Sequence, residues 1–196
     1  MQYNMSMKMM GGFLIHLFKN DLDKPTREAV KKEYQAILER AGDIGANNTL
    51  LGSYILCAVF IALVRKSGMD VEKCAELLED HLRKSKIFKM AMGDSKGYFS
   101  EKHMQKRYAW SKETHERHYK NDWVVDVLPK SDDYEFGFNY TECGVCKMCK
   151  DEGCFELAKY LCRLDYMLVE IMGIGLKRTS TLAEGGDKCD FRFIKK

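Results

Sequence analysis

Ala158, Leu161, Cys162, Asp165 and Leu168 recur at helical spacing, so they share one face of a helix. Asp165 therefore interrupts an apolar stripe, three residues after Cys162. A carboxylate in such surroundings must find a partner or accept a raised pKa, because an unpaired buried charge is costly. Two roles are open to it: a structural carboxylate that caps a loop or pairs with an arginine, or an acid–base group tuned toward neutral pH. A second set of residues lies further on. Segments 174–183 and 188–194 read as two strands joined through Glu184-Gly185-Gly186-Asp187, a turn signal. With a four-residue loop, Leu182 faces Cys189, Ser180 faces Phe191 and Arg178 faces Phe193. Thr179 and Thr181 then lie opposite Arg192 and Asp190 on the other face. Arg178 shares a core-side face with Cys189, where an arginine is expensive unless it binds a carboxylate. That carboxylate is either Asp165 or one brought by a ligand.

Cysteine spacing offers a third set. Cys143, Cys146, Cys149 and Cys154 read C-x2-C-x2-C-x4-C, near a bacterial cluster-binding run but with a longer last gap and no following proline. As a zinc site the spacing is also imperfect. In a helix the first three thiols simply share a face at i, i+3 and i+6. A metal or iron–sulfur site on these four is thus the weaker alternative, and the expectation is a protein without a cofactor. His115 and His118 sit at i, i+3, with no evident third ligand and without H-E-x-x-H spacing, which suits solvated or core-edge histidines. No phosphate loop, dinucleotide fingerprint or G-x-S-x-G elbow occurs, which weighs against nucleotide-driven chemistry.

The elements that must position these groups change character along the chain. Asp23-Lys24-Pro25 starts a helix whose stripe is Val30, Tyr34, Ile37, Leu38 and Ala41, ended by Gly42 and Gly45. Asn47 to Arg65 reads as a central helix, apolar nearly all round. Asp70 caps a third helix with Val71, Cys74, Ala75, Leu78 and Leu82 facing inward. Ser100 to Tyr119 reads as a fourth, with Met104, Tyr108 and His115 on one side. Thereafter the period becomes two. Trp123–Leu128 is β-rich and stops at Pro129, and Lys130–Asp133 makes a turn. Tyr134, Phe136, Phe138 and Tyr140 alternate with Glu135, Gly137 and Asn139, giving a half-buried strand with an aromatic inner face. One more helix is expected from about Glu152 to about Ile171. The sum is α+β, a helical N-terminal half packed on a small antiparallel sheet with a C-terminal β-hairpin. Residues 1–196 read as a single domain, helical to about residue 120 and sheet-containing from about 121.

Composition bounds the partners. The 196 residues carry 32 Lys/Arg against 29 Asp/Glu, a net +3 too mild to argue for nucleic acid. The distribution is uneven: residues 81–120 hold eleven basic side chains against Asp94, Glu101, Glu113 and Glu116, a local +7. That stretch is either a solvated helical face or a field that draws small anions toward a nearby pocket. Met9–Phe18 is too short for a signal segment, is interrupted by His16, and has no small-residue cleavage site after it. Leu50–Val64 falls short of the roughly 20 residues a spanning helix needs, so a buried core helix is expected and no membrane partner. The eight cysteines are then expected as thiols in a cytoplasmic protein. Oligomeric state is left open.

Four strings occur in order: Thr141-Glu142-Cys143, Cys162-Arg163-Leu164-Asp165, Arg178-Thr179-Ser180-Thr181-Leu182-Ala183 and Gly186-Asp187-Lys188-Cys189-Asp190-Phe191. Together they resemble the signature of the L-2-amino-thiazoline-4-carboxylic acid hydrolase family, sharply from about Trp123 onward and diffusely in the helical half. Cys146, Cys149 and Cys154 are additions to that pattern. The ending GGDKCDFRF is also similar to small vinyl-reductase-like ligand-binding domains, which implies a non-catalytic sensing or assembly module that binds a small molecule or metal through the cysteine-rich segment. The hydrolase resemblance implies the opening of a five-membered cyclic amidine by water, giving N-carbamoyl-L-cysteine. Such a site needs an anchor for the substrate carboxylate, a base for water and a donor for the departing sulfur. Arg178 suits the anchor and Asp165 the base, while Cys143, Cys162 and Cys189 are the thiol candidates for a covalent route. Thr179, Thr181, Asp190 and Asn139 complete the expected substrate-binding set. A route by direct attack of water fits the same residues.

Overall fold

The computed structural model describes residues 5–43 and 50–196. Along the chain run α1 (Met5–His16), α2 (Lys24–Ala41), α3 (Leu51–Lys66), α4 (Val71–Lys84), α5 (Lys86–Met92), α6 (Ser95–Tyr98) and α7 (Glu101–Thr114). Strands β1 (Val124–Leu128) and β2 (Phe136–Glu142) follow, then α8 (Gly144–Asp151), α9 (Ala158–Ile171), β3 (Ile174–Lys177) and β4 (Cys189–Lys195). The class is α+β, with helices concentrated in the N-terminal half and one four-stranded antiparallel sheet.

Local signals explain most boundaries. The Asp23 carboxylate accepts the Thr26 N–H at 2.8 Å, Pro25 occupies the first turn of α2, and Gly42 ends it at φ 73°, a conformation that favours glycine. Asp70 caps α4 by accepting the Lys73 N–H at 2.9 Å. Every residue of α3 from Cys57 to Leu63 is buried, as an all-apolar helix requires. Gly45 and Asn47–Thr49, read from sequence as a helix end and the next helix start, lie outside the described residues. The helix expected over Ser100–Tyr119 ends at Thr114, and the basic stretch before it forms α5 and α6, capped by Ser85 (accepting from the Phe88 N–H, 3.2 Å) and Asp94 (from the Gly97 N–H, 2.8 Å). The helix expected from about Glu152 is split instead. The chain takes a left-handed turn at Gly153 (φ 66°) and a short 3-10 turn at Phe155–Leu157 before α9 begins.

The chain divides into two compact units. One contains the described residues up to Leu82 together with Tyr119–Asn121 and Gly144–Ala158, so α1, α2, α3, most of α4 and α8 form a helical body. Tyr34 is its anchor: fully buried, it donates to the Met7 carbonyl at 2.8 Å. Its ring passes so close to Gly11 that a Cβ there would lie 2.3 Å from it. Among the described residues no helix is long and apolar enough to cross a membrane.

The second unit contains Arg83–His118, Asp122–Cys143 and Lys159–Lys196. Its sheet runs β1-β2-β4-β3, all neighbours antiparallel. Phe136 pairs with Phe193, Phe138 with Phe191 and Tyr140 with Cys189, which collects the aromatic rings and the Cys189 thiol on one face. Tyr98, Phe99 and Trp110, from α6, the residue after it and α7, pack tilted or edge-on against those rings.

The terminal pairing differs from expectation. β3 pairs Leu176 with Phe193 and Lys177 with Arg192, two residues out from the expected register, and stops at Lys177 instead of continuing to Ala183. The cause is Asp190. Its carboxylate accepts the Thr179 N–H (2.9 Å), the Thr179 hydroxyl (2.7 Å) and the Ser180 N–H (2.7 Å), so these backbone donors leave the ladder. Residues Leu182–Glu184 then form a 3-10 turn closed by Gly185 at φ 87°. A slip of two leaves every side chain on its expected face, so Arg178 stays on the Cys189 side.

Candidate active site

The cluster described below belongs to the second unit. Helix α9 carries Cys162 and Asp165 one turn apart, and the chain leaving β3 brings Arg178 back against them. One Arg178 nitrogen, Nη1, donates to Asp165 Oδ2 at 2.6 Å, and Nη2 donates to the Cys162 carbonyl at 3.0 Å. The guanidinium is flanked by the Tyr166 and Phe191 rings, with Cζ 4.9 Å and 5.0 Å from their centres. Of the two partners open to Arg178 from sequence, Asp165 is thus the one it meets. The pair is lopsided: the Arg178 side chain is 6% exposed and that of Asp165 32%. Asp165 Oδ1 has no hydrogen-bond partner among the described residues and is left to meet a ligand or water. Desolvation pushes the Asp165 pKa up to about 6, against the opposing pull of the Arg178 charge and hydrogen bond.

Three thiols share this neighbourhood. Burial, followed by the nearby Asp165 carboxylate and Cys143, pushes Cys162 well above the ordinary thiol range. Cys189 accepts the Leu182 N–H at 3.2 Å, yet burial carries its pKa up to about 11. Cys143 acts on both, so Cys143, Cys162, Cys189, Asp165 and Arg178 form one electrostatic group. Tyr140 faces Cys189 across the sheet; burial first, and then Tyr98, Asp165, Cys143 and Cys189, hold its hydroxyl far above its usual pKa. Burial raises Tyr98 to about 12, and Asp165 adds to the effect. The arrangement offers one half-open carboxylate of near-neutral pKa, a cation that orients it, and the un-ionised Cys162 and Cys189 thiols and Tyr98 and Tyr140 phenols.

The family model described as L-2-amino-thiazoline-4-carboxylic acid hydrolase matches residues 48–193 of the 196. The chain belongs to that family. Comparison with curated proteins and with solved structures gives no match. The segment matched by the hydrolase family contains every residue of the cluster.

Other residues expected at the site are engaged elsewhere. Thr179 and Asp190 bind each other, and Thr181 donates to Glu184 at 2.7 Å. Asn139 Oδ1 accepts from Arg192 Nη2 at 2.9 Å. By strand alternation Asn139 and Asp190 lie on the sheet face opposite Tyr140 and Cys189. Cys146, Cys149 and Cys154 are buried in the first unit, where the Cys149 sulfur lies 3.7 Å from that of Cys57. Cys143, the first of the four cysteines in the weaker metal alternative, falls in the second unit, at its boundary with the first. Among the described residues no group of three His, Cys, Asp or Glu is placed to hold a metal ion. His115 and His118 pair with Asp126 (3.0 Å) and Glu116 (2.6 Å) at the surface.

Sequence reasoning missed Tyr98, placed Arg107 only in the basic stretch of residues 81–120, and saw Tyr140 only as part of an aromatic strand. The alternation of β2 carried a signal for Tyr140, whereas Asp94 marks the start of the four-residue helix that carries Tyr98 but not what Tyr98 packs against.

Proposed function

We propose that this member of the family uses water to open a small cyclic amidine bearing a carboxylate, L-2-amino-thiazoline-4-carboxylate or a near analogue, giving N-carbamoyl-L-cysteine. The observation that carries this reading is Asp165: a carboxylate with one oxygen held by Arg178, the other open, and a pKa of about 6. Asp165 accepts a proton from water as the water oxygen bonds to the amidine carbon between nitrogen and sulfur. The C=N electron pair goes to the ring nitrogen, which takes up the adduct's remaining hydroxyl proton as the new C=O bond forms and the carbon–sulfur bond breaks. The proton held on Asp165 passes to the departing sulfur, so one water is consumed, a urea and a thiol appear, and the carboxylate is regenerated. Arg178 keeps the carboxylate ionised and oriented; it is a positioning residue in this scheme. With Cys162 and Cys189 both raised, thiolate is scarce at neutral pH, which favours direct attack by water over a covalent intermediate.

The test is product formation, followed as N-carbamoyl-L-cysteine by chromatography. Wild-type protein is expected to consume the thiazoline, and Asp165→Asn to lose on the order of 10²-fold or more in rate with its fold intact. No product from folded wild-type protein overturns the reading. A small molecule retained through purification, without turnover, points instead to the binding-module alternative.

A further inference from the structure

Arg178 is spoken for, yet a substrate of the proposed class carries a carboxylate that needs a cation. Arg107 on α7 is a cation that meets no carboxylate among the described residues. Its guanidinium lies over the Tyr98 ring (4.2 Å from Cζ to the centre) and the Phe136 ring (4.5 Å), and Nη1 donates to the Tyr98 carbonyl at 2.7 Å and meets Met104 Sδ at 3.3 Å. Among the described residues no carboxylate reaches it. Burial lowers its pKa, and the neighbours that act against this are Tyr98 and Tyr140. A half-desolvated guanidinium without a counter-ion is an unfavourable arrangement for the empty protein and a favourable one for an incoming anion.

Its position is suited to the chemistry. Phe136, which Arg107 covers, belongs to the aromatic sheet face that also carries Tyr140 and Phe191, and Arg178, the partner of Asp165, covers Phe191, so Arg107 and the Asp165–Arg178 pair address the same face of the sheet. Tyr98 also lines a cleft of about 520 Å³, together with His103, one helical turn before Arg107. Lys89 and Asp94 border the same cleft.

We propose that Arg107 is the carboxylate anchor of the site, with a small cyclic acid lying across Tyr98 and Tyr140 between Arg107 and Asp165. This rests on the proposed ring-opening reading for the position of the base, while acid binding itself is independent of turnover. The experiment is calorimetric titration of the full chain with thiazolidine-4-carboxylate, a ring acid with no amidine to hydrolyse, and with its neutral carboxamide. Wild-type protein is expected to bind the acid at least about tenfold more tightly than the amide. Arg107→Gln should abolish that preference, and Arg107→Lys should restore part of it. Phenylglyoxal modification of wild-type protein, mapped by mass spectrometry, should be slowed at Arg107 by the acid and not by the amide, which decides the matter even where Arg107→Gln fails to fold. An undiminished acid preference in folded Arg107→Gln, or none in wild type, overturns the proposal, as does a preference lost only in Arg178→Gln. Turnover that is indifferent to Arg107 sinks the anchor alone; Arg107-dependent acid binding without turnover sinks the hydrolase reading alone.

Discussion

Arg178 Nη1 stands 2.6 Å from Asp165 Oδ2, and the arginine is almost wholly enclosed while a third of the aspartate side chain remains open. The enclosed partner therefore fixes the open one. Removing the cation in Arg178→Met takes away the influence that opposes desolvation, so the Asp165 pKa must rise further. The expected outcome is a pH–rate profile whose acid limb moves to higher pH, with a smaller loss at the alkaline plateau than Asp165→Asn shows at every pH. Arg178→Lys, which keeps the charge and loses the fork, should fall between. Stopped assays across pH 5–9 check this; an unmoved limb in Arg178→Met would detach the pair from catalysis.

The pH dependence of rate and of stability should run in opposite directions. As a base Asp165 must be ionised, so kcat/KM is expected to fall with unit slope below about pH 6. Its folded pKa lies above the ordinary 3.8, so the contribution of this group to stability is fully present below that value and is lost as pH rises toward 6. Urea unfolding of wild type and Asp165→Asn between pH 4 and 7 isolates the effect: the difference between the two curves should change across that window and level off above it.

Much of this site was legible in the sequence because it rests on periodicity. Cys162 and Asp165 on one helix face, the aromatic alternation through Phe136, Phe138 and Tyr140, and the shared face of Arg178 and Cys189 all follow from side-chain spacing. A register slip of two preserves that spacing, so the wrong hairpin alignment still put Arg178 on the correct side. What periodicity cannot supply is competition for backbone donors. Asp190 claims the Thr179 and Ser180 N–H groups and ends β3 early, a side-chain effect invisible to a pattern of apolar and polar residues. Arg107 was equally hidden, since an arginine on an exposed-looking helix reads as solvated until Tyr98 folds over it.

The Asp190 contacts should be worth a measurable share of stability. Replacing it with alanine removes three hydrogen bonds, one of them part-buried, at a cost of about 2 kcal/mol, or roughly 4–8 °C in Tm for a chain of this length. Partial burial works to raise the Asp190 pKa, but the Thr179 and Ser180 bonds prevail and hold it below its ordinary value. The stability it provides is therefore present above pH 3.8 and lost as pH falls through the lowered folded value. Thermal melts should show the gap between wild type and Asp190→Ala closing in strong acid, whereas a gap constant with pH would mean that the carboxylate charge plays no part.

The thiols should prove dispensable to the chemical step. With a pKa of about 11, Cys189 is ionised in roughly one molecule in 10⁴ at pH 7, and Cys162 is raised further. Neither can act as a ready nucleophile unless substrate binding ionises it. Cys143→Ala, Cys162→Ala and Cys189→Ala are each expected to reduce kcat less than about tenfold, against the 10²-fold or greater loss from removing the base. Iodoacetamide at neutral pH should modify Cys162 and Cys189 more slowly than free cysteine, and rapid-quench traces should rise linearly from the first turnover. A stoichiometric burst, or a complete loss of rate in one cysteine variant that keeps its thermal melt, would place that sulfur on the reaction path and make the hydrolysis covalent.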